Sequence, residues 1–190
     1  MRQSSRKRRL LTASTVLIAG GVMLFPDGAV AQPETGSAPA QVSGTFQLVN
    51  AQTGKCATVA GGVSTDNNVG LVQFNCDSHP SRRWLVTNSD GRSNQIINEQ
   101  TRKCATVAGG VSTDNNVGLV QFNCDTHPSR RWIVTNQSGN SFQLVNAQTG
   151  KCMTVAGGVS TDNNVGLVQF TCDSHPSRRW ILKRVGGIID

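Results

Sequence analysis

The chain has 190 residues, a formal net charge of +7, six Cys and no Tyr, and 37% of its residues are hydrophobic. That hydrophobic fraction, with only 15% charged residues, excludes an intrinsically disordered chain, and the length allows one domain or two small ones. A basic balance is typical of proteins that bind nucleic acid, so the position of the charge along the chain decides what it indicates.

Residues 1–31 have the pattern of a secretory signal peptide. A basic segment at 2–9 precedes an apolar run at 10–25, and Ala29-Val30-Ala31 offers a cleavage site before Gln32. The apolar run has about 16 residues, fewer than the ~20 that span a bilayer, so we expect cleavage and not a membrane anchor. Cleavage would remove +4 of the charge and leave a mature chain of net charge +3.

The mature chain divides into a tether and a domain. Residues 32–44 are rich in Pro, Gly, Ser and Ala and predict a flexible tether. Residues 45–185 form the domain, which we expect to be secreted, extracellular and not associated with a membrane.

The domain is a threefold repeat with a period of 48 residues. The segment Cys56–Trp84 recurs at Cys104–Trp132 with one change and at Cys152–Trp180 with two changes. The repeats span about 45–92, 93–140 and 141–185. An open solenoid needs atypical capping repeats at its ends, whereas a closed ring of three needs none, so the sequence favours a closed ring.

Each repeat carries four β-type runs, separated by clusters of Gly, Asn, Asp, Ser and Pro. In the first repeat these runs are Phe46–Asn50, Lys55–Val59, Gly70–Cys76 and Arg82–Thr87. No apolar helical stripe is present in the mature chain. Twelve strands in one closed all-β domain are therefore predicted, because 48 residues rarely bury a sufficient core alone.

The two Cys of each repeat lie 20 residues apart. An even number of Cys in an exported chain predicts disulfides, and the repetition selects pairing within each repeat. The predicted pairs are Cys56–Cys76, Cys104–Cys124 and Cys152–Cys172. Metal binding by Cys is disfavoured because no repeat contains the C-x-x-C spacing of zinc sites.

The repeat unit resembles the ricin-type (R-type) β-trefoil lectins. The resemblance lies in Gly-Lys-Cys-x-x-Val, then Val-Gln-aromatic-x-Cys, then a Trp eight residues after that Cys, and it covers about 45–184. It implies a β-trefoil with Trp84, Trp132 and Trp180 in the core and a secreted carbohydrate-binding function without catalysis. The Gln-x-Trp element of that family reads Arg82-Arg83-Trp84 here, with the same change in the other two repeats.

The resemblance also implies a sugar pocket in each repeat. The family places an Asp two residues after the first Cys, an aromatic residue two before the second Cys, and an Asn three before the Trp. These positions hold Thr58, Phe74 and Ser81 in the first repeat. In the other repeats they hold Thr106, Phe122 and Ser129, then Thr154, Phe170 and Ser177. Because Thr and Ser replace Asp and Asn, this site is either re-specified or degraded, and a degraded site would leave a protein-interaction or inhibitor module.

A polar run after two Gly offers a substitute for the missing carboxylate. In the first repeat, Asp66 and Asn67 are candidates at the pocket rim, and the alternative is a turn in which they cap the backbone. The equivalent candidates are Asp114, Asn115, Asp162 and Asn163.

The remaining polar features yield no metal, cofactor or enzyme prediction. His79, His127 and His175 are interpreted as surface turn residues and not as metal ligands. A hydrolytic role for Ser81 with His79 lacks an acid partner. For the Arg82-Arg83 pair and its copies, an ion pair with Asp77 or its equivalents is favoured over binding of anionic glycans or phosphate. Nucleic acid is excluded as a partner because no aromatic residues alternate with basic ones. The expected partner is a polysaccharide or glycan, as the resemblance implies, and we expect the protein to be a monomer.

Overall fold

The computed structural model describes residues 42–88 and 90–186. The predicted signal peptide at 1–31 and the tether from 32 to 41 lie outside the described residues. Val42 packs against the core, and the first strand begins at Gly44, inside the predicted tether. The described residues include no helix of the length and hydropathy needed to cross a membrane.

The structure confirms the all-β prediction. The described residues form twelve strands, four in each repeat, and each repeat also has one short 3₁₀ turn. The first repeat provides β1 (Gly44–Asn50), β2 (Cys56–Val59), β3 (Leu71–Phe74) and β4 (Trp84–Asn88). The second provides β5 (Asn94–Asn98), β6 (Cys104–Val107), β7 (Leu119–Phe122) and β8 (Trp132–Ser138). The third provides β9 (Ser141–Asn146), β10 (Cys152–Val155), β11 (Leu167–Phe170) and β12 (Trp180–Arg184). The 3₁₀ turns are Pro80–Arg82, Pro128–Arg130 and Pro176–Arg178.

Six strands form a closed ring, and the other six form three hairpins. Antiparallel pairing runs from β1 through β4, β5, β8, β9 and β12 and back to β1. The hairpins are β2–β3, β6–β7 and β10–β11, and single bridges connect the third strands of all three repeats. This is the β-trefoil arrangement, in which no repeat is complete without its neighbours.

The core has the same threefold symmetry as the sequence. Trp84, Trp132 and Trp180 are fully buried, and each indole Nε1 donates to a main-chain carbonyl of the second strand of its repeat at 2.9 Å. A buried indole N–H needs such a partner, so the Trp both fills the core and orients the hairpin.

The three predicted disulfides are present and join the ends of each hairpin. Each encloses a loop of about 20 residues, and the loss of loop entropy in the unfolded chain is worth roughly 3 kcal/mol per bridge. No free cysteine occurs among the described residues.

A buried Gln on the third strand of each repeat holds the polar loop of the preceding repeat. Gln121 is 0% exposed, and its Nε2 donates to the carbonyls of Ser64 and Asp66 at 2.8 and 2.7 Å. The main-chain N–H of Asn123 donates to Asn67 Oδ1 at 3.0 Å. The same contacts connect the second repeat to the third and the third to the first, through Gln169 and Gln73. We call these three sets of contacts the inter-repeat locks.

The predicted strand at Arg82–Thr87 begins two residues late. Arg82 lies in the 3₁₀ turn, because Pro80 occupies its first position and the His79 side chain accepts the N–H of Ser81. Trp84 is the first residue of the strand. The alternation of strand side chains therefore does not govern the direction of Arg82.

Candidate functional site

A cavity lies between the second strand, the third strand and the 3₁₀ turn of a repeat. Its volume is about 250 Å³ in the second repeat and about 230 Å³ in the third. The second-repeat cavity is lined by Asn68, Thr106, Val107, Gly109, Gly110, Phe122, His127, Ser129 and Arg130. The third-repeat cavity is lined by the equivalents: Asn116, Thr154, Val155, Gly157, Gly158, Phe170, His175, Ser177 and Arg178. Both are smaller than the ~300–1,000 Å³ of pockets for drug-sized ligands, so each accommodates a single small unit.

The Thr and Ser that replace the family's Asp and Asn form a buried pair. Thr106 is 2% exposed and Ser129 is 0% exposed. Thr106 Oγ1 lies 3.0 Å from the Ser129 carbonyl and 3.2 Å from Ser129 Oγ. The same pairing occurs between Thr58 and Ser81 and between Thr154 and Ser177. These side chains satisfy one another at the cavity floor, so they shape the site more than they present hydrogen-bonding groups to a ligand.

His127 connects this pair to the cavity surface. Its Nδ1 accepts the main-chain N–H of Ser129 at 3.2 Å and lies 2.8 Å from Ser129 Oγ. Because a main-chain N–H can only donate, Nδ1 is the acceptor in this contact, which assigns the ring hydrogen to Nε2. His79 and His175 make the same contacts in their repeats.

Arg130 covers the aromatic residue that the resemblance assigns to sugar stacking. Its guanidinium carbon lies 4.5 Å from the centre of the Phe122 ring. Nη1 donates to Ser129 Oγ at 3.3 Å and lies 3.5 Å from Asp125 Oδ1. Arg82 and Arg178 repeat this arrangement over Phe74 and Phe170 and beside Asp77 and Asp173. The expected ion pair with Asp is thus present, and a planar cation occupies one face of the ring.

The second Arg of each pair leaves the cavity. Arg83 Nε lies 3.2 Å from Glu99 Oε2, and Arg131 Nη1 lies 3.7 Å from Asp90 Oδ2. Hydrogen bonds from Ser93 and from the main-chain N–H of residue 92 lower the pKa of Asp90 from 3.8 to about 2, with a smaller contribution from the charge of Arg131. These contacts connect strands and stabilise the fold.

Two Gly line the cavity wall, and at one of these positions there is little room for a side chain. Gly110 has a φ of 78° and would place a Cβ 3.3 Å from Ser129 Oγ. Gly109 has a φ of 68° with open space around its Cβ position. A left-handed backbone together with a close approach explains why Gly stands at 110.

The preceding repeat supplies one side of the cavity. Asn68 belongs to the polar loop of the first repeat but lines the cavity of the second. Its φ is 65°, and its main-chain N–H donates to the carbonyl of Gln121 at 2.9 Å. Asn116 lines the third-repeat cavity, and Asn164 makes the equivalent main-chain contact to the first repeat. Each site is therefore built by two repeats.

The structure places Asp66 and Asn67 in the inter-repeat lock. Asp66 Oδ2 accepts from Ser64 Oγ at 3.0 Å, and Asn67 Oδ1 accepts from the next repeat. Asp114, Asn115, Asp162 and Asn163 make the same kinds of contact. Within the described residues, none of these Asp and Asn side chains lines the cavity of the second or third repeat.

Sequence reasoning missed Asn68, His127 and Arg130 as cavity residues. The sequence predicted turns for the polar run that contains Asn68 and for His127, and an ion pair with Asp for the Arg. A recognisable signal was present in His-Pro-Ser, where a His before Pro can cap a 3₁₀ turn, and in the Arg that stands at the family's Gln position. Across the described residues, no three His, Cys, Asp or Glu side chains are grouped as a metal site.

Comparison with known proteins identifies the domain that contains these cavities. The profile of the ricin-type beta-trefoil lectin domain matches residues 44–184. A search of curated proteins finds no match to the chain.

Solved structures share the fold at low sequence identity. ThreeFoil, a designed threefold symmetric protein, superposes with a TM-score of 0.70 at 18% identity, over 74% of this chain and 99% of its own. An exo-β-1,3-galactanase from Clostridium thermocellum gives 0.70 at 22% identity, over 78% of this chain but only 31% of its own. A ricin B-like lectin from Macrolepiota procera, solved with lactose, gives 0.64 at 15% identity, over 77% of this chain and all of its own. At these identities the similarity shows the fold alone.

Proposed function

The chain belongs to the ricin-type β-trefoil lectin family, and from this membership we propose that it is a secreted carbohydrate-binding module with up to three equivalent shallow sites. The observation that carries the proposal is the recurrence of one cavity, with the same lining residue types, in the second and third repeats. The Thr–Ser, His–Ser and Arg–Phe contacts of that cavity also recur in the first repeat.

Three weak sites on one rigid body suit a repeating polymer. A single site with a dissociation constant near millimolar supplies only about 4 kcal/mol of binding free energy. Engagement of two or three sites on one polysaccharide would raise the affinity by roughly 10²–10⁴ where the spacing permits it. Binding to a polymer is therefore the expected activity, and binding to a free monosaccharide is expected to be weak.

Several features support export and action without catalysis. Disulfides persist in oxidising compartments, and three of them staple this domain. The family match covers nearly all of the described chain, and among the described residues no carboxylate contacts the ring of the cavity His to orient it as a general base. We therefore propose a monomeric, extracellular and non-catalytic protein.

One observation favours a second function, a protein-interaction or inhibitor module. The positions of the family's Asp and Asn hold Thr106 and Ser129, which are buried and bonded to each other. A site that has lost its carboxylate would leave the trefoil as a rigid scaffold for another protein.

The experiment that separates the two functions is retention of the mature chain on insoluble polysaccharides. Cellulose, chitin, galactan and cross-linked polygalacturonate form the panel, and the matching free monosaccharides serve as competitors. Retention on at least one polymer, with free sugar a poor competitor, is expected. Absence of retention on every polymer would overturn the carbohydrate-binding proposal and leave the protein-interaction module.

A further inference from the structure

The cavities contain a permanent positive charge and no carboxylate. Arg130 is the one Arg or Lys that lines the second-repeat cavity, and no Asp or Glu is among its lining residues. Arg178 has the same place in the third repeat. A carboxylate that could accept hydrogen bonds from neutral sugar hydroxyls is therefore missing from the lining of these cavities, and the charged group that they offer is a cation.

The guanidinium retains donors that the protein does not use. Nη1 of Arg130 is engaged with Ser129 Oγ, and Nε is buried without a hydrogen-bond acceptor. Within the described residues, Nη2 of Arg130 makes no hydrogen bond to the protein, although the side chain is only 13% exposed. The Phe122 ring holds the guanidinium plane in place. A fixed planar fork with unused N–H groups matches the two oxygens of a carboxylate or sulfate.

The other polar groups at the cavity are also donors. His127 has its Nδ1 occupied by Ser129, so Nε2–H is the ring atom left to donate to a ligand. Asn68 lines the same cavity, and its side-chain amide makes no hydrogen bond within the described residues, so its NH₂ group can donate to a ligand. A guanidinium, an imidazole N–H and an amide NH₂ around one small cavity favour a ligand rich in acceptors.

The neighbouring carboxylate does not neutralise this arrangement. Asp125 Oδ1 lies 3.5 Å from Arg130 Nη1, its side chain is 51% exposed, and it also accepts the N–H of His127 at 2.8 Å. A long ion pair that faces water is weak. It leaves Nη2 of Arg130 to a ligand.

We propose that each cavity binds the anionic group of an acidic polysaccharide, either the carboxylate of a uronic acid or a sulfate ester, through the Arg that covers the Phe ring. Arg82, Arg130 and Arg178 are the binding residues, with the cavity His and the Asn of the preceding repeat as additional donors. The inference rests on the proposed carbohydrate-binding function and names its ligand class.

The test compares polymers that differ only in charge. The unmodified mature chain is measured on polygalacturonate against its fully methyl-esterified form, and on dextran sulfate against dextran, at about 50 mM NaCl. We expect at least tenfold stronger retention on the charged member of one pair or both, and a decrease of that preference as salt shortens the range of the charge. The pair that shows the preference identifies carboxylate or sulfate as the ligand group.

Variants assign the preference to the cavities. The triple variant R82Q/R130Q/R178Q is expected to lose the preference, whereas K55Q/K103Q/K151Q, which removes three positive charges outside the cavities, is expected to keep it. Equal loss in both variants would show non-specific charge attraction and overturn the inference. Equal retention on charged and neutral polymers would overturn it while preserving the carbohydrate-binding function, and absence of retention on every polymer would overturn both. If the triple Arg variant fails to fold, the single variants R82Q, R130Q and R178Q, each of which should lose part of the preference, provide the same comparison with the Lys variant.

Discussion

The inter-repeat lock of the second repeat provides the sharpest prediction for stability. Gln121 is fully buried and makes three side-chain hydrogen bonds: Nε2 donates to the carbonyls of Ser64 and Asp66, and Oε1 accepts from Thr101 Oγ1 at 2.7 Å. The substitution Gln121→Leu keeps the volume nearly constant but removes all three bonds. Each contributes about 1 kcal/mol net, and buried partners left unsatisfied cost more, so we expect a loss of about 3 kcal/mol or somewhat more.

Equilibrium unfolding in urea with the disulfides intact measures this loss. With an m-value of about 2 kcal/mol/M, the midpoint would fall by about 1.5 M, a large part of a domain stability of ~5–15 kcal/mol. Gln100→Leu is the matched control, because Gln100 is exposed in the same repeat and its replacement should change stability by less than ~0.5 kcal/mol. If Gln121→Leu lost no more than this control, the claim that these Gln lock the repeats together would be refuted.

Three further predictions concern the cavity wall, the loops and acid stability. Gly158→Ala adds a Cβ 3.2 Å from Ser177 Oγ at a φ of 79°, whereas Gly157→Ala adds one at a φ of 69° with open space around it. Calorimetry should therefore show a larger fall in Tm for Gly158→Ala. Equal falls would contradict the role of the close contact. The triple substitution of Asp66, Asp114 and Asp162 by Ala should leave polysaccharide retention unchanged in a folded protein, and lost retention would return these carboxylates to the binding site. The pKa of Asp90 is lowered to about 2 in the folded state, so the stability that its carboxylate contributes is present above about pH 4 and is lost as the pH falls through 2. The difference in unfolding free energy between the unmodified chain and Asp90→Ala should therefore close over that range. A difference independent of pH would refute the stabilising role of this carboxylate.

The fold was predictable because its signals are local and repeated. The Cys spacing, the Trp and the four β-type runs recur in every repeat, so each copy supports the same interpretation. The pairing of Cys56 with Cys76 followed from repetition alone, and the structure confirms it.

The site was less predictable because its contacts join distant residues. The sequence shows both Asn67 and Asn123, but it does not show that a polar loop docks on a strand 56 residues later. The same docking carries Asn68 into the cavity of the next repeat. Likewise, a strand pattern gives no reason for Arg82 to cover Phe74, because that contact depends on the 3₁₀ turn between them.

Up to three equivalent sites, one in each repeat, are proposed to act together on one polymer. The direct test removes the cavity Phe by F74A, F122A and F170A, singly, in pairs and all together, with F142A as a control for a partly buried Phe outside these cavities. Dissociation from an insoluble polysaccharide that retains the unmodified chain is the measurement. We expect a stepwise acceleration with each of these Phe removed and unchanged dissociation for F142A. Full retention by the folded triple variant would contradict binding through these sites.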